Sequence, residues 1–194
     1  TLSMTYSAFG LSIASDVPLP HLPRTDAPPD VAIRYGDVPP HLDACTVRGI
    51  CYQVAPGRAL IALEDVGRFL VDGGRAITVE RAPQADDASV RLFLLGLCFG
   101  LLLHQRGRLV LHASAVACRD RCVALAGASS TGKSTLAAAF VQRGYTLVAD
   151  EVCVVDAGAD GAPVVVPGYP ALLLWRRTLQ QIGLGALVGG LLPV

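Results

Sequence analysis

Residues 123–135 read Val-Ala-Leu-Ala-Gly-Ala-Ser-Ser-Thr-Gly-Lys-Ser-Thr. The pattern Gly-x4-Gly-Lys-Ser is that of a phosphate-binding P-loop. The apolar run before it predicts a buried strand over 123–126, and the helix-forming residues after it predict a helix over 133–143. Because a P-loop joins a strand to a helix, this context supports the motif and predicts an α/β fold.

The chemistry of the loop follows from its residue types. Glycines let the backbone wrap around phosphate groups with N–H groups pointing inward, and the helix N-terminus adds partial positive charge. Lys133 is predicted to reach the β and γ phosphates, and the Ser134 hydroxyl to bind Mg²⁺. ATP and Mg²⁺ are therefore the expected cofactors. The predicted nucleotide-binding residues are Gly127, Ala128, Ser129, Ser130, Thr131, Gly132, Lys133, Ser134 and Thr135.

Composition excludes several other classes of function. The chain has 194 residues, of which 52% are hydrophobic and 16% charged, so it can bury a core and is not expected to be disordered. The formal net charge is zero, which gives no basic excess for nucleic acid or an anionic membrane. The sixteen basic residues comprise fifteen arginines and a single lysine, Lys133.

Cysteine usage and apolar runs indicate the compartment. The six cysteines form no CxxC pair and no zinc set, so they are interpreted as buried thiols in a reducing cytoplasm. The segment Thr1–Met4 lacks the features of a signal peptide. The apolar stretch Leu92–Leu103 would span about 18 Å as a helix, well short of a bilayer core of about 30 Å. A buried helix in a cytoplasmic protein is therefore expected.

Residues 1–84 are predicted to form a β-rich region of unknown role. Alternation of side chains predicts a strand over Tyr6–Ile13, and Val31–Tyr35 is a second strand. From Cys51 to Val79, four short strands separated by turn residues predict a meander. No catalytic motif lies here, and a structural scaffold and a partner-recognition module both stay open.

Residues 85–194 are predicted to form the second domain. Asp86, Asp87 and Ser89 are N-cap candidates for a helix over 88–105, which marks the boundary. Downstream of the helix and apart from the P-loop, the sequence predicts strands at 109–115, 122–126, 145–149, 152–155, 163–166 and 171–175, a hairpin tip within 117–121, and a short helix over 176–182.

Three further side chains are candidates for chemistry. Asp150 and Glu151 follow the strand at 145–149, where an acid beside a P-loop binds Mg²⁺ or orients an acceptor. An exposed Asp-Glu turn is the alternative interpretation. His112 lies on the strand that precedes the P-loop hairpin. A structural histidine is the alternative there, and a phosphate contact stays open.

These segments carry a resemblance to a known family. The matching runs are 111–116 (Leu-His-Ala-Ser-Ala-Val), 126–135 (Ala-Gly-Ala-Ser-Ser-Thr-Gly-Lys-Ser-Thr) and 143–151 (Arg-Gly-Tyr-Thr-Leu-Val-Ala-Asp-Glu). They resemble the catalytic domain of HPr kinase/phosphorylase, and more closely the short HPr-kinase-like proteins of bacterial biosynthetic clusters, including lasso-peptide tailoring kinases. The resemblance covers mainly residues 109–156 and does not extend to residues 1–84.

The resemblance implies a fold, a reaction and residue roles. The fold would be a P-loop kinase core related to phosphoenolpyruvate carboxykinase, and the reaction ATP-dependent phosphorylation of a serine hydroxyl. Lys133 matches the phosphate position and His112 the histidine before the P-loop. Asp150 matches the first acid, the base for the acceptor, and Glu151 the second acid, near the metal. Ser134, Asp150 and Glu151 thus form the implied metal-binding set, with Lys133, His112 and Asp150 as catalytic residues.

The sequence departs from the family in two ways. The acid pair is Asp-Glu where the family has Asp-Asp. Family members also continue beyond the position of Val194 with further site residues, so the expectation is a truncated domain or a site completed by another subunit. A homo-oligomer therefore stays open as an expectation.

Three functions are weighed for this chain. The first is a kinase acting on a serine of a peptide or small protein, with neither nucleic acid nor membrane as partner. The second is a small-molecule kinase acting, for example, on free serine or a sugar. The third is a non-catalytic nucleotide-binding module. The resemblance favours the first, and the acceptor itself is not revealed by the sequence.

Overall fold

The chain divides into two compact units, Thr1–Arg108 (unit 1) and Leu109–Val194 (unit 2). The computed structural model describes residues 4–169, 171–174 and 191–193. The division differs from the boundary expected at residues 84 and 85, because the long helical segment before Arg108 groups with the β-rich region. The helix predicted over 176–182 lies outside the described residues.

Unit 1 is built on a mixed eight-stranded sheet. Its strands are β1 (Met4–Ala8), β2 (Leu11–Ser15), β3 (Val31–Tyr35), β4 (Val47–Arg48), β5 (Tyr52–Ala55), β6 (Arg58–Leu63), β7 (Gly67–Asp72) and β8 (Ala76–Arg81). They lie in the order β1-β2-β3-β8-β7-β6-β5-β4. β3 runs parallel to both of its neighbours, and β5 to β8 form the predicted antiparallel meander.

The prediction of one strand over Tyr6–Ile13 was wrong. The chain reverses at Phe9 and Gly10, which both have positive φ, and β1 and β2 pair as a tight hairpin. Positive φ at both central positions is typical of the type I′ turn, whose twist matches that of the flanking strands. Phe9 adopts this unusual backbone while its ring is buried and stacks on Phe99, with 5.3 Å between ring centroids.

The predicted helix over 88–105 is confirmed as one helical segment with an internal irregularity. It comprises α1 (Asp87–Phe93), a π-helical turn (Leu94–Cys98) and α2 (Phe99–Gln105). The Asp86 carboxylate accepts the backbone N–H of Ser89 at 2.6 Å, which confirms Asp86 as the N-cap. Asp87–Gln105 is long and apolar enough to cross a membrane by length and composition, a test that the core helix of a soluble protein also passes. Its most apolar face is buried within unit 1.

Unit 2 contains two three-stranded sheets and a short parallel pair. Its elements are β9 (Leu109–Leu111), β10 (Ala113–Cys118), β11 (Arg121–Ala126), α3 (Lys133–Val141), β12 (Thr146–Ala149), β13 (Cys153–Ala157), β14 (Pro163–Val166), β15 (Leu172–Leu174) and β16 (Leu191–Pro193). The sheet orders are β11-β10-β12, β14-β13-β9 and β15-β16. The predicted order of strand, loop, helix and strand is confirmed, whereas a kinase-type core stays a prediction.

Two predictions about strands in unit 2 were wrong. The strand expected over 109–115 is broken at His112, where the chain passes from the sheet of β13 to that of β12. The strand before the glycine-rich loop was expected to be buried, but β11 is the edge of its described sheet, and Val123 is 53% exposed. Only β10 pairs with it among the described strands, so apolar residues alone did not decide its burial.

Helix α3 is anchored through small residues. Ala137 and Ala138 are fully buried and pack with Val116 of β10 and Leu172 of β15. The rings of Phe140 and Tyr145 meet edge to face, with 5.0 Å between centroids, where the chain leaves α3 for β12. This packing holds the first turn of α3 beside the sheet end that carries the candidate site.

The interpretation of the cysteines as buried thiols holds for only two of them. Cys98 and Cys153 are buried, Cys45 and Cys51 are partly exposed, and Cys118 and Cys122 are exposed. All six are free thiols. Cys118 and Cys122 flank the tight turn between β10 and β11, and their position beside a turn explains their exposure.

Candidate functional site

The site residues meet because three strand ends converge at one edge of a sheet. β10 is antiparallel to both β11 and β12, with Ala113 opposite Ala126 and Ala115 opposite Ala149. The start of β10 therefore lies beside the ends of β11 and β12. His112, the glycine-rich loop and the Asp150–Glu151 pair, which adjoin these strand ends, are consequently brought to the same edge.

The glycine-rich loop is exposed and curled. Ser130 and Gly132 have φ values of 64° and 89°, in the left-handed region. Backbones of this kind make concave nests of N–H groups that favour anions. A Cβ on Gly127 would lie 3.0 Å from the Thr131 hydroxyl, which itself donates to the Ala128 carbonyl at 2.8 Å. A side chain at position 127 would therefore crowd the Thr131 hydroxyl.

Three further predicted nucleotide-binding residues differ in exposure. Ser129 and Ser130 are exposed, and Thr135 is half-buried in the first turn of α3. Their predicted role in nucleotide binding stays a prediction.

The Lys133 side chain contacts the backbone of the glycine-rich loop. Its Nζ donates to the carbonyl oxygens of Gly127 at 3.1 Å and Ala128 at 2.9 Å. The same Nζ lies 3.1 Å from Nε2 of His112. The ammonium thus satisfies loop carbonyls, and it can turn toward an anion by exchanging these contacts for phosphate oxygens.

Asp150 is buried between two hydroxyl groups. It is 6% exposed, and its Oδ1 accepts the Ser114 hydroxyl at 2.5 Å and the Ser134 hydroxyl at 3.0 Å. Ser114 is fully buried on β10. Ser114 lies two residues after His112, but the sequence patterns predicted no role for it. The available signal was a polar residue in the middle of an apolar strand.

Glu151 has a different environment from Asp150. Its side chain is 40% exposed, and its Oε2 lies 3.4 Å from Nδ1 of His112. Its backbone φ is 65°, which is unusual for a residue with a side chain. Because His112 also contacts Lys133, a continuous chain of polar contacts runs from Glu151 to Lys133.

The oxygen atoms present fit a nucleotide-bound Mg²⁺ better than a metal held by protein alone. No group of three or more His, Cys, Asp or Glu side chains arranged to hold a metal occurs in the part of the chain that the structure describes. Mg²⁺ in nucleotide sites takes only one or two protein oxygens, with phosphates and water completing the shell. Ser134 and Asp150, 3.0 Å apart, provide two such oxygens beside the loop.

Unit 1 has a cavity of about 680 Å³, and Arg68, Glu80 and Arg81 of its lining form ion pairs. Arg68 and Glu80 form an ion pair at 2.5 Å within its lining, and the hydrogen bond from Arg68 lowers the pKa of Glu80. Arg81, also in the lining, pairs with Asp87 at 2.5 Å. These pairs tie β7, β8 and α1 together, which is a structural role.

Comparison with known proteins gives no assignment. The chain matches no protein-family model, no curated protein and no solved structure.

Proposed function

We propose that this protein is an ATP-dependent kinase that transfers the γ-phosphoryl group to a serine hydroxyl of a peptide or small protein. The observation that carries the proposal is the meeting of His112, Lys133, Ser134, Asp150 and Glu151 at one sheet edge beside the glycine-rich loop. The serine acceptor rests on the resemblance to HPr-kinase-like proteins. The same resemblance supports a P-loop kinase core, and the cysteine usage supports a cytoplasmic location.

In this function the loop and Lys133 bind and position the triphosphate. The loop amides and the start of α3 provide positive potential for the phosphates. Lys133 exchanges its contacts with the carbonyls of Gly127 and Ala128 for phosphate oxygens. Mg²⁺, when bound, neutralises charge on the β and γ phosphates, with Ser134 and Asp150 as its protein-side oxygens.

The transfer step needs an acid beside the acceptor. The serine oxygen attacks the γ-phosphorus, the bond from that phosphorus to the bridging oxygen breaks, and ADP leaves with the electron pair. The hydroxyl proton passes to a carboxylate of the Asp150–Glu151 pair. Most of the rate enhancement is expected from positioning and charge stabilisation rather than from this proton transfer.

The test is phosphoryl transfer from γ-labelled ATP with Mg²⁺ to a library of serine-containing peptides, with free serine and sugars in parallel reactions. We expect labelled phosphoserine peptides from the wild-type protein and none from Lys133→Met. Label on free serine or a sugar alone would replace the proposal with a small-molecule kinase. ATP binding with no labelled acceptor would replace it with a nucleotide-binding module.

Lys133→Met is also expected to weaken ATP binding by at least about tenfold, because it removes charge-assisted hydrogen bonds to phosphate. Calorimetric titration with MgATP measures this. Arg119→Met is the matched control, since it removes one cation from the opposite end of β11, at the turn after β10. Equal loss in both variants would contradict a specific role for Lys133.

A further inference from the structure

The two neighbouring acids at the end of β12 are held by different partners. Asp150 is buried against the hydroxyls of Ser114 and Ser134, whereas the half-exposed Glu151 side chain meets His112. The resemblance would make Asp150 the base for the acceptor and Glu151 the metal-side acid. The contacts of the two carboxylates favour the opposite assignment of these roles.

We propose that the roles are divided by these contacts: Asp150, positioned by Ser114, serves the metal side, and Glu151, positioned by His112, receives the proton of the acceptor hydroxyl. The proposal rests on the kinase function proposed above and specifies which acid does what. It also adds Ser114 as a positioning residue.

Asp150 is assigned to the metal side because of its contact with Ser134. In P-loop enzymes the loop Ser or Thr and an acid from a nearby strand end hold Mg²⁺ together. Asp150 Oδ1 lies 3.0 Å from the Ser134 hydroxyl, and the corresponding pair is therefore already assembled. An acid that is 6% exposed, with two hydroxyls on one oxygen, is poorly placed to receive a bulky peptide acceptor.

Ser114 fixes this arrangement from the neighbouring strand. Its hydroxyl is fully buried and donates to the same Oδ1 at 2.5 Å. A buried hydroxyl requires a partner, and Asp150 provides it. Ser114 therefore holds the Asp150 carboxylate toward Ser134 without itself reaching the nucleotide.

Glu151 has an unusual backbone conformation and a half-exposed side chain. The left-handed φ of 65° is disfavoured for a residue with a Cβ, and backbone outliers of this kind concentrate at functional sites. The conformation occurs where the chain passes from β12 to β13, and the Glu151 side chain contacts His112 there. With 40% of its side chain exposed, Glu151 is open to an acceptor from solvent.

His112 links this acid to the phosphate side of the site. One ring nitrogen lies 3.4 Å from Glu151 and the other 3.1 Å from Lys133 Nζ. Because His112 touches both side chains, it sets the distance between Glu151, the proposed acceptor-side acid, and Lys133, which is proposed to contact the γ-phosphate.

The experiment compares Asp150→Asn, Ser114→Ala and Glu151→Gln in the full chain. ATP affinity is measured by calorimetry with Mg²⁺ and with EDTA, and phosphoryl transfer is measured at saturating MgATP. We expect Asp150→Asn to lose at least about tenfold of the Mg²⁺-dependent affinity, and Ser114→Ala to lose less in the same direction. Glu151→Gln is expected to bind within about twofold of wild type, yet to transfer phosphate about 100-fold more slowly.

The reverse pattern, with Glu151→Gln losing the Mg²⁺-dependent affinity and Asp150→Asn keeping it, would overturn the proposal. Equal binding losses in the two variants would overturn it as well. Ser114→Thr, which keeps the hydroxyl, should recover the affinity lost in Ser114→Ala, and failure of this rescue would remove Ser114 from the argument. Asp120→Asn, at the exposed turn between β10 and β11, controls for loss of one negative charge.

Failure of the proposed kinase function can be distinguished from failure of the assignment of roles to the two acids. If wild-type protein labels no acceptor, the proposed function fails, while the Mg²⁺-dependent affinities of the two acid variants still decide which acid serves the metal. Thermal melting of every variant separates loss of function from loss of fold.

Discussion

Single residues in unit 2 have roles that depend on backbone conformation as much as on side-chain chemistry. Gly127 avoids the Thr131 hydroxyl, Gly132 adopts a left-handed conformation before α3, and Glu151 adopts one after β12. The P-loop pattern predicts the first two, since its glycines are explained by backbone need. It does not predict the third, because nothing in an Asp-Glu pair indicates its φ.

Gly132→Ala and Gly144→Ala form a matched pair that separates strain from function. Their φ values are 89° and 88°, and an added Cβ meets no atom within 4 Å at either position. Each substitution is therefore expected to lower the free energy of unfolding by about 1–2 kcal/mol through backbone strain alone. Chemical denaturation measures this loss.

Only Gly132→Ala is expected to weaken MgATP binding, because only Gly132 belongs to the glycine-rich loop. Calorimetric titration of both variants checks the difference. Normal MgATP binding by Gly132→Ala, or an equal loss in Gly144→Ala, would show that the loop conformation is not required for the nucleotide.

At the scale of elements, local residue signals predicted some helices and strands, whereas tertiary strand pairing decided where other segments are interrupted. The N-cap at Asp86, the meander of β5 to β8 and the helix after the glycine-rich loop followed from capping residues, turn residues and helix formers. The break at His112 and the hairpin at Phe9 and Gly10 did not, because each divides an apolar segment whose pattern continues across it. Sheet pairing on either side decides where such a segment is interrupted.

Asp86→Ala is expected to destabilise α1 in a pH-dependent way. Hydrogen bonds from Ser89 lower the pKa of the Asp86 carboxyl below its value in the unfolded chain. The larger effect comes from the backbone N–H of Ser89 and the smaller from its side chain. The contribution of the cap is therefore complete above about pH 4, and it is lost as the pH falls through the lower folded value. The difference in unfolding free energy between wild type and Asp86→Ala should shrink on acidification below about pH 4.

Urea denaturation at several pH values measures this difference. Asp86→Asn, which keeps a capping oxygen without the charge, should be closer to wild type at neutral pH than Asp86→Ala. A difference between wild type and Asp86→Ala that stays constant with pH would show that the carboxylate does not cap α1.

At the scale of the whole molecule, the fold gives the six chemically identical cysteine thiols different degrees of burial. Burial raises the pKa of the Cys98 and Cys153 thiols, and partial burial raises that of Cys122. Cys118 is exposed at the neighbouring turn. The amino-acid composition does not show which cysteines are buried. All six are free thiols, and four of the six are not buried.

Thiol labelling of the native protein at neutral pH tests this distribution. Cys118 is expected to react first, followed by Cys122, because a raised thiol pKa leaves less reactive thiolate. Cys98 and Cys153 should react only on unfolding. Mass spectrometry of peptides after timed labelling assigns each site, and Cys118→Ser identifies the fastest phase. Rapid labelling of Cys98 in the native state would contradict the packing of its helix.

The sequence by itself predicted the glycine-rich loop, its lysine and hydroxyl, and the candidates His112, Asp150 and Glu151, because a phosphate-binding motif is recognised by particular residue types at short spacing. Only the tertiary structure decided that β11 is an edge strand, that Ser114 holds Asp150 against Ser134, and that Glu151 turns to His112. These contacts join residues that are 16 or more positions apart in sequence, or depend on strand order and backbone φ. Local residue patterns carry no information about such pairing, and this pairing brings the glycine-rich loop and the two acids to one edge.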